Sequence, residues 1–373
     1  MKEKVLIVYG GKSVEHDISI ITALQVMKFL PKQYDFLPIY IDKNGIWWTA
    51  DNLNEIRIYS NFEKLSKRRK QVTFIMGENK VIVKKNGKFS QVFEVFSVLN
   101  CCHGNIGEDG SLQGVFKTCG IAHTSPSVVS SAICMDKVFM KDILFANDIE
   151  TPKYQSIHKC AFENSKDKES KRIEEKIKYP VVVKPANLGS SIGISGCKTA
   201  QELSNALALA FQFDEKVVVE EMVENLKEFN CACFFYKGQY IVSDANEVKN
   251  KSEIYSFGDK YLSSTVENKK ADKNLTKKIR ALTERVYNLF ECKGIVRVDF
   301  LYDEKKKILY VNEVNTIPGS LAFYLFKDIA FKELIISVIE QSKLNAEEER
   351  KLIKTFESDA LNIFENAVGS SKK

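Results

Sequence analysis

Four polar side chains in the last third of the chain have the spacing of a metal site. Arg297 and Asp299 lie two residues apart in an apolar segment that is typical of a strand, and Glu313 and Asn315 have the same spacing in the next such segment. Residues at i and i+2 of a strand face the same side, so the four side chains meet if the segments form a hairpin. Carboxylate and amide oxygens are the ligands that Mg²⁺ prefers. Charges also alternate on exposed strands, so this motif alone leaves a metal site and a solvated face open.

A second motif combines a lysine with a loop of small residues. Lys184 ends the run Pro-Val-Val-Val-Lys, and the loop 189–193 follows it with the sequence Gly-Ser-Ser-Ile-Gly. Glycines let backbone N–H groups approach phosphate oxygens, and a lysine supplies a point charge. The order differs from that of the P-loop GxxxxGK[ST]. A phosphate site and a tight surface turn both fit this composition.

Two shorter segments have weaker signals. Residues 220–223, Glu-Glu-Met-Val, follow an apolar run, and an extended segment of this kind is able to hold a nucleotide base, although a plain strand end has the same pattern. Residues 103–110, His-Gly-Asn-Ile-Gly-Glu-Asp-Gly, form a glycine-rich loop with acids. A histidine in such a loop is less typical of the core than an isolated histidine, so this loop is a candidate site for a small polar ligand.

The elements at the N-terminus predict how the first part of the chain folds. An apolar run at 5–9 ends in Gly10-Gly11, and apolar residues then recur with helical spacing over 17–30. A second strand is expected at 34–41, and the turn signal Asp-Lys-Asn-Gly at 42–45 predicts a hairpin. A strand, glycine turn, helix and strand in this order are typical of a doubly wound α/β unit.

Further along the chain, the pattern mixes strands and helices. We expect helices over 127–147, 276–290 and within 346–364, and a hairpin made by 294–302 and 308–314. The polar segment 163–178 fits an exposed loop or a solvated helix, and 249–270 is expected to be a long loop. Residues 50–92 are charged, with strand-like patches. The hairpin is the element that must bring the candidate metal ligands together.

Composition limits the class of protein. With 373 residues, 44% hydrophobic and 28% charged, the chain is predicted to be globular with more than one domain. Its nine cysteines are odd in number and include no CxxC pair, so a reducing cytoplasm is expected. No apolar run is long enough to cross a membrane. The net charge of +6 is mild, and the basic run 64–70 has no interleaved aromatic residues, so we expect no nucleic-acid partner.

Together these motifs resemble the D-alanine–D-alanine ligases, a family of the ATP-grasp superfamily. The resemblance extends from Lys4 to about Glu340. It rests on ordered motifs: Gly10-Gly11-Lys12-Ser13-Val14-Glu15-His16-Asp17, His103-Gly104-x-x-Gly107-Glu108-Asp109-Gly110-x-Leu112-Gln113-Gly114, Met135-Asp136-Lys137, Val183-Lys184-Pro185-x-x-x-Gly189-Ser190-Ser191, Arg297-Val298-Asp299-Phe300 and Asn312-Glu313-Val314-Asn315-Thr316-Ile317-Pro318-Gly319.

The resemblance implies an ATP-grasp fold with an N-terminal doubly wound α/β domain. The expected domains are 1–123 for that N-terminal domain, 124–223 for the central ATP-grasp subdomain and 224–343 for the C-terminal subdomain with the metal site. Residues 344–373 extend beyond the usual family length, and we expect a helical extension there.

The same resemblance implies a site for ATP and for divalent metal. The metal would be Mg²⁺ or Mn²⁺, with two ions, at Asp299, Glu313 and Asn315. The residues implied for nucleotide binding are Lys137, Lys184, Ser190, Ser191, Glu220, Glu221, Val223, Glu228 and Lys260.

Substrate binding and catalysis are implied for a third set of residues. Glu15 would hold the ammonium group of the first D-alanine, and Ser190 and Tyr261 would complete a hydrogen-bonded trio with it that closes a lid. Arg297 and the Gly319 N–H would stabilise the oxyanion of the tetrahedral intermediate. The full set is Glu15, His103, Ser190, Lys260, Tyr261, Arg297, Gly319, Tyr324 and Leu325.

The implied activity is the ATP-dependent joining of two D-alanines through a D-alanyl phosphate, for peptidoglycan precursors, by a cytoplasmic homodimer. One departure concerns the second substrate, because the run 320–326 is Ser-Leu-Ala-Phe-Tyr-Leu-Phe and Tyr324 stands where the family usually has serine. A ligase for D-serine or another second amino acid therefore stays open, as does an inactive nucleotide-binding homologue.

Overall fold

The computed structural model describes residues 2–85, 87–248, 269–270 and 272–370. Its strands form three sheets. In chain order they are β1 (Lys4–Gly10), β2 (Asp35–Ile41), β3 (Trp47–Thr49), β4 (Lys70–Ile75), β5 (Lys80–Lys85), β6 (Lys88–Glu94), β7 (Ser97–Asn100), β8 (Tyr154–His158), β9 (Val181–Pro185), β10 (Ser195–Cys197), β11 (Lys216–Glu221), β12 (Leu226–Tyr236), β13 (Gln239–Val242), β14 (Asn246–Val248), β15 (Lys269–Lys270), β16 (Val296–Asp303) and β17 (Ile308–Asn315).

The helices connect and cover these sheets. They are α1 (His16–Lys28), α2 (Phe62–Leu65), α3 (Ser111–Thr118), α4 (Val128–Met135), α5 (Lys137–Ala146), α6 (Lys159–Asn164), α7 (Lys166–Glu174), α8 (Ala200–Ala210), α9 (Lys273–Leu289), α10 (Phe331–Arg350) and α11 (Ala360–Ser370). Short 3₁₀ turns occur at Ile56–Ser60, Asn105–Gly107 and Gly319–Leu325.

The first sheet contains the predicted α/β unit. Its order is β6-β5-β4-β3-β2-β1-β7, with β1 parallel to both β2 and β7. Val5 to Tyr9 in β1 are fully buried, as expected for a parallel strand covered on both faces. The predicted strand, glycine turn, helix and strand are confirmed as β1, α1 and β2, and the predicted hairpin joins β2 to β3. The strand-like patches of 50–92 become β4, β5 and β6, which widen this sheet.

The second and third sheets lie further along the chain. The second has the antiparallel order β10-β9-β11-β8. The third runs β15-β14-β12-β16-β17, with β13 paired to β12. The predicted hairpin of the candidate metal ligands is confirmed as β16 and β17. The second sheet carries Lys184 and Glu220, and the third carries the four hairpin residues, so the site must form where these sheets meet.

Two expectations about helices need correction, and for a third segment the structure decides between two open alternatives. The helix predicted over 127–147 is two helices, because the Asp136 side chain accepts hydrogen bonds from the N–H groups of Val138 and Phe139 and begins α5. The polar segment 163–178, for which an exposed loop and a solvated helix were both open, is largely helical, in α6 and α7. The tail is not one helix: α10 ends at Arg350 and α11 starts at Ala360.

Buried apolar side chains form several clusters. One of them joins β1 and α1 to α10, so the first and last parts of the chain share a core. All nine cysteines are free thiols, and Cys160 is the one that is exposed. Within the described residues, no helix is long and apolar enough to cross a membrane. The domain boundaries given above stay a prediction. Of the loop expected at 249–270, residues 249–268 lie outside the described residues, and Lys269–Lys270 form β15.

Gly294, just before β16, is a position where stability depends on the lack of a side chain. Its φ is +67°, and a Cβ there would lie 1.7 Å from the carbonyl oxygen of Thr124. We expect Gly294→Ala to lower the free energy of unfolding by about 3 kcal/mol or more, because backbone must move. Gly120→Ala is the matched control: its φ is +71°, but no atom lies within 4 Å of the added Cβ. Urea denaturation should show a loss of about 1 kcal/mol for the control; equal losses would contradict the expectation.

Candidate functional site

The β16–β17 hairpin brings the four predicted residues together. Asp299 pairs with Glu313, and Arg297 pairs with Asn315, directly across the two strands. The Arg297 guanidinium donates two hydrogen bonds to Asp299, Nε to Oδ1 at 2.6 Å and Nη2 to Oδ2 at 2.8 Å. Asn315 Nδ2 also donates to Asp299 Oδ2, at 3.0 Å. The hairpin is therefore a connected polar site and not a solvated face.

The donor set of this site fits a hard divalent cation. Asp299, Glu313 and Asn315 offer carboxylate and amide oxygens, and none of them offers sulfur or imidazole. Among the residues that the structure describes, no group of three or more His, Cys, Asp or Glu side chains is placed to hold a metal. The two carboxylates would thus need oxygens from Asn315, water or a phosphate to complete a coordination sphere, which is how Mg²⁺ is usually held.

Lys184 connects the second sheet to this hairpin. Its Nζ donates to Glu220 Oε2 at 2.8 Å and to Asn312 Oδ1 at 3.1 Å. Asn312 is the extra residue of a β-bulge next to Glu313, opposite Asp299. The lysine ammonium therefore lies beside the candidate metal ligands. Lys137 begins α5 and donates from Nζ to the carbonyl oxygen of Leu188, at the start of the Gly/Ser loop. Two of the predicted phosphate-binding lysines therefore border the same region.

Lys141 is a charged residue that the sequence motifs did not single out. Its side chain is fully buried, lies 3.2 Å from Glu220 Oε1 and donates to Thr151 Oγ1 at 2.7 Å. Burial lowers the pKa of Lys141 to about 8, although the nearby Glu220 opposes this shift. Burial alone would raise the pKa of Glu220, but the charges of Lys141 and Lys184 lower it on balance. One turn of helix separates Lys141 from Lys137, and that spacing was a usable signal.

Glu15 lies at the N-terminus of α1 and faces the Gly/Ser loop. The side chain is buried, and Ser190 Oγ donates a short hydrogen bond to Glu15 Oε1. A Cβ on Gly104 would lie 2.4 Å from Glu15 Oε2, and a Cβ on Gly189 would lie 2.9 Å from the same atom. The two glycines thus allow loops from different parts of the chain to close around one carboxylate. The predicted contact of Glu15 with Ser190 is present.

Glu108 links the glycine-rich loop to the end of the hairpin. Its Oε2 accepts from the Gly104 N–H at 2.8 Å, and its Oε1 accepts from the Ile317 N–H at 2.9 Å. Burial, followed by the charge of Glu15, raises the pKa of Glu108 to about 8, while the two backbone N–H groups act in the opposite direction. The negative charge of Glu15 therefore disfavours ionisation of the neighbouring Glu108.

His103 is a core residue, so the loop composition was misleading about its environment. The side chain is 3% exposed, Nδ1 lies 2.7 Å from the Ile317 carbonyl oxygen, and Nε2 lies 2.8 Å from Thr22 Oγ1. Burial lowers the pKa of His103 to about 4, and the charge of Arg297 acts in the same direction. The imidazole is neutral at ordinary pH.

The low pKa of His103 predicts a loss of stability in acid. The unfolded histidine binds a proton below about pH 6.5 and the folded one only below about pH 4, so stability is present above this window and is lost as the pH falls through it. The loss should approach about 3 kcal/mol. Urea unfolding between pH 4 and 7 should show a shallower pH dependence for His103→Asn than for wild type. His158→Gln, at an exposed histidine, is the control; an unchanged slope in His103→Asn would contradict this assignment.

The turn after β17 has an unusual backbone. Ser320, Leu321 and Ala322 have φ values of 54°, 51° and 50°, a left-handed conformation that costs L-residues roughly 1 kcal/mol or more each. Burial of Leu321, Ala322 and Leu325 holds the turn in place. It presents Tyr324, 41% exposed, whose hydroxyl accepts from Arg297 Nη1 at 3.4 Å. The replacement of serine by tyrosine thus still places a hydroxyl beside Arg297.

The remaining predicted residues lie at the edges of this region or outside the described chain. Ser191, with a φ of +57°, belongs to the Gly/Ser loop. Glu221 ends β11, Val223 follows it and Glu228 lies in β12, all three half-buried. Lys260 and Tyr261 lie outside the described residues, so the expected closure of a lid by Glu15, Ser190 and Tyr261 stays a prediction for its third member.

Comparison with known proteins places the whole chain in one family. The family model described as "D-ala D-ala ligase N-terminus" matches residues 4–126, and "D-ala D-ala ligase C-terminus" matches residues 143–340. The D-alanine–D-alanine ligase of Thermosipho melanesiensis is 36% identical over 97% of this chain and 98% of its own length. That of Caldicellulosiruptor bescii is 35% identical over 91% and 94%.

Solved structures agree with this assignment. VanG D-Ala:D-Ser ligase from Enterococcus faecalis is 27% identical, with a TM-score of 0.78 over 92% of this chain and 100% of its own. The D-alanine–D-alanine ligase from Coxiella burnetii, at 24% identity, has the same fold, with a TM-score of 0.77 over 95% and 98% of the two chains. The expected ATP-grasp fold is thereby confirmed. The chain belongs to the D-alanine–D-alanine ligase family.

Proposed function

We propose that this chain is a ligase that uses ATP to join two D-alanines into D-alanyl-D-alanine, for peptidoglycan precursors. The family is ATP-dependent and uses divalent metal ions. The observation that carries the proposal is the β16–β17 hairpin, where Arg297 donates to Asp299 and Asn312 accepts from Lys184 of the second sheet. Glu15 accepts in turn from Ser190, in the loop that follows Lys184. The intact hairpin argues against an inactive homologue, and resemblance to the family supports a cytoplasmic homodimer.

The first step activates a carboxylate, which by itself is a poor acyl donor. Lys137 and Lys184 would hold the phosphates of ATP, and the Gly/Ser loop would bring backbone N–H groups and the hydroxyls of Ser190 and Ser191 to the same phosphates. Glu220, Glu221, Val223 and Glu228 would line the base and ribose. Phosphoryl transfer needs positioning of the reactants and neutralisation of the phosphate charge more than covalent help, and these residues supply the positioning.

Asp299, Glu313 and Asn315 would hold Mg²⁺ or Mn²⁺, with two ions proposed. When bound, the ions neutralise charge on the phosphates during transfer. The Arg297–Asp299 pair is suited to this site because the guanidinium keeps the Asp299 carboxylate aimed along the hairpin. The ammonium group of the first D-alanine would bind to Glu15. This contact would turn the carboxylate of the D-alanine toward the γ-phosphate.

The second step forms the amide bond. The amine of the second substrate attacks the acyl carbon, and the oxygen there gains negative charge. Arg297 and the Gly319 N–H would donate to this oxyanion, a role in which a fixed donor has a large effect on rate. Water must stay out, because it would hydrolyse the acylphosphate. The Lys260–Tyr261 segment is proposed as the lid that excludes water.

The second substrate is the finer part of the proposal. Tyr324 and Leu325 would contact it, with the Tyr324 hydroxyl at its carboxylate; that hydroxyl accepts from Arg297. The curated relatives described above are D-alanine–D-alanine ligases, whereas the structural relative VanG is a D-Ala:D-Ser ligase. The D-alanine–D-alanine ligases are more similar in sequence, at 35–36% identity against 27% for VanG, and this favours D-alanine. D-serine is the alternative that requires a direct test.

Competition between second substrates tests the proposal. Purified chain is incubated with ATP, Mg²⁺ and D-alanine, alone and with equimolar D-serine or D-lactate, and the products are identified by mass spectrometry. D-alanine alone should support phosphate release and yield D-alanyl-D-alanine as the main product in every mixture. Phosphate release that requires D-serine, or a mixed product in excess of the homodipeptide, would overturn the assignment of the second substrate. No product in any mixture would overturn the ligase itself.

A further inference from the structure

A buried hydrogen-bonded relay ties the turn after β17 to the first domain of the chain. The Ser320 N–H donates to Thr22 Oγ1 at 3.0 Å, and Thr22 Oγ1 lies 2.8 Å from His103 Nε2. His103 Nδ1 lies 2.7 Å from the carbonyl oxygen of Ile317. Thr22 is fully buried and His103 nearly so. The relay thus joins both sides of the segment that contains Gly319.

The direction of each hydrogen bond follows from the two groups at the ends of the relay, the Ile317 carbonyl oxygen and the Ser320 N–H. A carbonyl oxygen only accepts, so Nδ1 of His103 carries the proton and donates it to Ile317. Nε2 of the neutral ring is then an acceptor and takes the hydroxyl proton of Thr22. The Thr22 oxygen accepts in turn from the Ser320 N–H, which only donates. The low pKa of the buried His103 agrees with this neutral tautomer.

The relay acts on a backbone that would not hold its shape alone. Ser320, Leu321 and Ala322 are all left-handed, although none of them is glycine. Such residues persist when their surroundings fix them and are typical of functional sites. Glu108 adds a further anchor by accepting from the Ile317 N–H. The peptide that carries the Gly319 N–H therefore lies between two anchored residues, Ile317 and Ser320.

We propose that Thr22 and His103 are positioning residues for the amide-forming step, because they hold the segment whose Gly319 N–H is aimed at the oxyanion. This inference rests on the ligase function proposed above. The oxyanion exists in the second step and not in the phosphoryl transfer, so the relay should matter for one step and not for the other. A purely structural role would impair both steps together.

Two measurements on each variant separate the steps. Dipeptide formation gives kcat and KM for the overall reaction. Scrambling of ¹⁸O from the β–γ bridge of ATP into nonbridging positions, measured with D-alanine present, reports reversible formation of the acylphosphate. Thr22→Val removes the hydroxyl and keeps the shape, and Thr22→Ser restores the hydroxyl. Thr283→Val is the matched control, because Thr283 is also fully buried and its hydroxyl donates within α9, to Ile279.

In Thr22→Val we expect kcat to fall about 10- to 100-fold, since a misplaced donor has effects of this size. The rate of scrambling should stay within about twofold of wild type, so its ratio to dipeptide formation rises about 10-fold or more. Thr22→Ser should recover most of the rate, and Thr283→Val should leave the ratio unchanged.

His103→Asn is the second variant, because asparagine Nδ2 replaces Nδ1 as the donor to Ile317, while the shorter side chain places no acceptor at the position of Nε2. It should show the same split between the two steps. An unchanged ratio in both variants, or loss of the folded protein in both, would overturn the proposal. A wild-type chain that forms no dipeptide would instead overturn the proposed function, so the two failures are distinguishable.

Discussion

Glu313→Gln is expected to lower kcat for dipeptide formation by about 10³-fold, the largest effect of a single substitution in this site. The change keeps the volume of the side chain and removes its charge. Of the paired carboxylates Asp299 and Glu313, only Asp299 would remain. Its charge is partly neutralised by the hydrogen-bonded Arg297. A site with one anion less binds a divalent cation weakly, so the phosphates of ATP lose their neutralising charge.

Phosphate release measured over a range of Mg²⁺ concentrations checks this expectation. The apparent Mg²⁺ requirement should rise together with the loss of kcat, and excess Mg²⁺ should recover part of the activity. Glu304→Gln is the control, because Glu304 lies in the turn of the same hairpin and pairs with the partly exposed Lys227. A fall of less than about 10-fold for Glu313→Gln, or an equal fall in the control, would contradict the placement of the metal.

Glu15→Gln is expected to lower kcat/KM for D-alanine by about 10²- to 10³-fold. A buried carboxylate that holds an ammonium group contributes through both charge and hydrogen bonding, and glutamine retains only part of the second. Ser190→Ala should have a smaller effect, of about 10-fold, because it removes one hydrogen bond to Glu15 and leaves its charge.

Initial rates with varied D-alanine and saturating ATP give the relevant constants. KM for ATP should stay nearly constant in Glu15→Gln, because Glu15 is assigned to the amino acid and not to the nucleotide. Asp17→Asn is the control for charge at the start of α1, since that side chain is 78% exposed. A rise in KM for ATP without a change for D-alanine would contradict the role assigned to Glu15.

Strand periodicity and motif order predicted the centre of the site. Alternation of Arg297 with Asp299, and of Glu313 with Asn315, predicted one shared face, and the register of β16 and β17 confirms it. The glycine turn after β1 likewise predicted the first α/β unit. These features are local, because side-chain direction in a strand depends on residue parity and little else.

Other features depend on contacts between distant parts of the chain. Thr22 is an ordinary helix residue by type, and its bond to Ser320 spans 298 positions. The left-handed Ser320, Leu321 and Ala322 contain no glycine that would indicate a positive φ. His103 lies in a loop, as expected, but its neighbours made burial in the core unexpected; packing between α1 and the turn after β17 buries it. Burial of this kind follows from tertiary structure and has no local pattern.

Transfer of oxygen from D-alanine to phosphate tests the central claim most directly. D-alanine labelled with ¹⁸O in both carboxylate oxygens is incubated with the chain, ATP and Mg²⁺, and the released phosphate is analysed by mass spectrometry. If the carboxylate attacks the γ-phosphate and the amine then displaces phosphate, each phosphate carries one labelled oxygen and each new amide carbonyl retains the other. Phosphate without label, formed at the same rate as dipeptide, would contradict an acylphosphate intermediate and with it the roles assigned to Arg297 and Gly319.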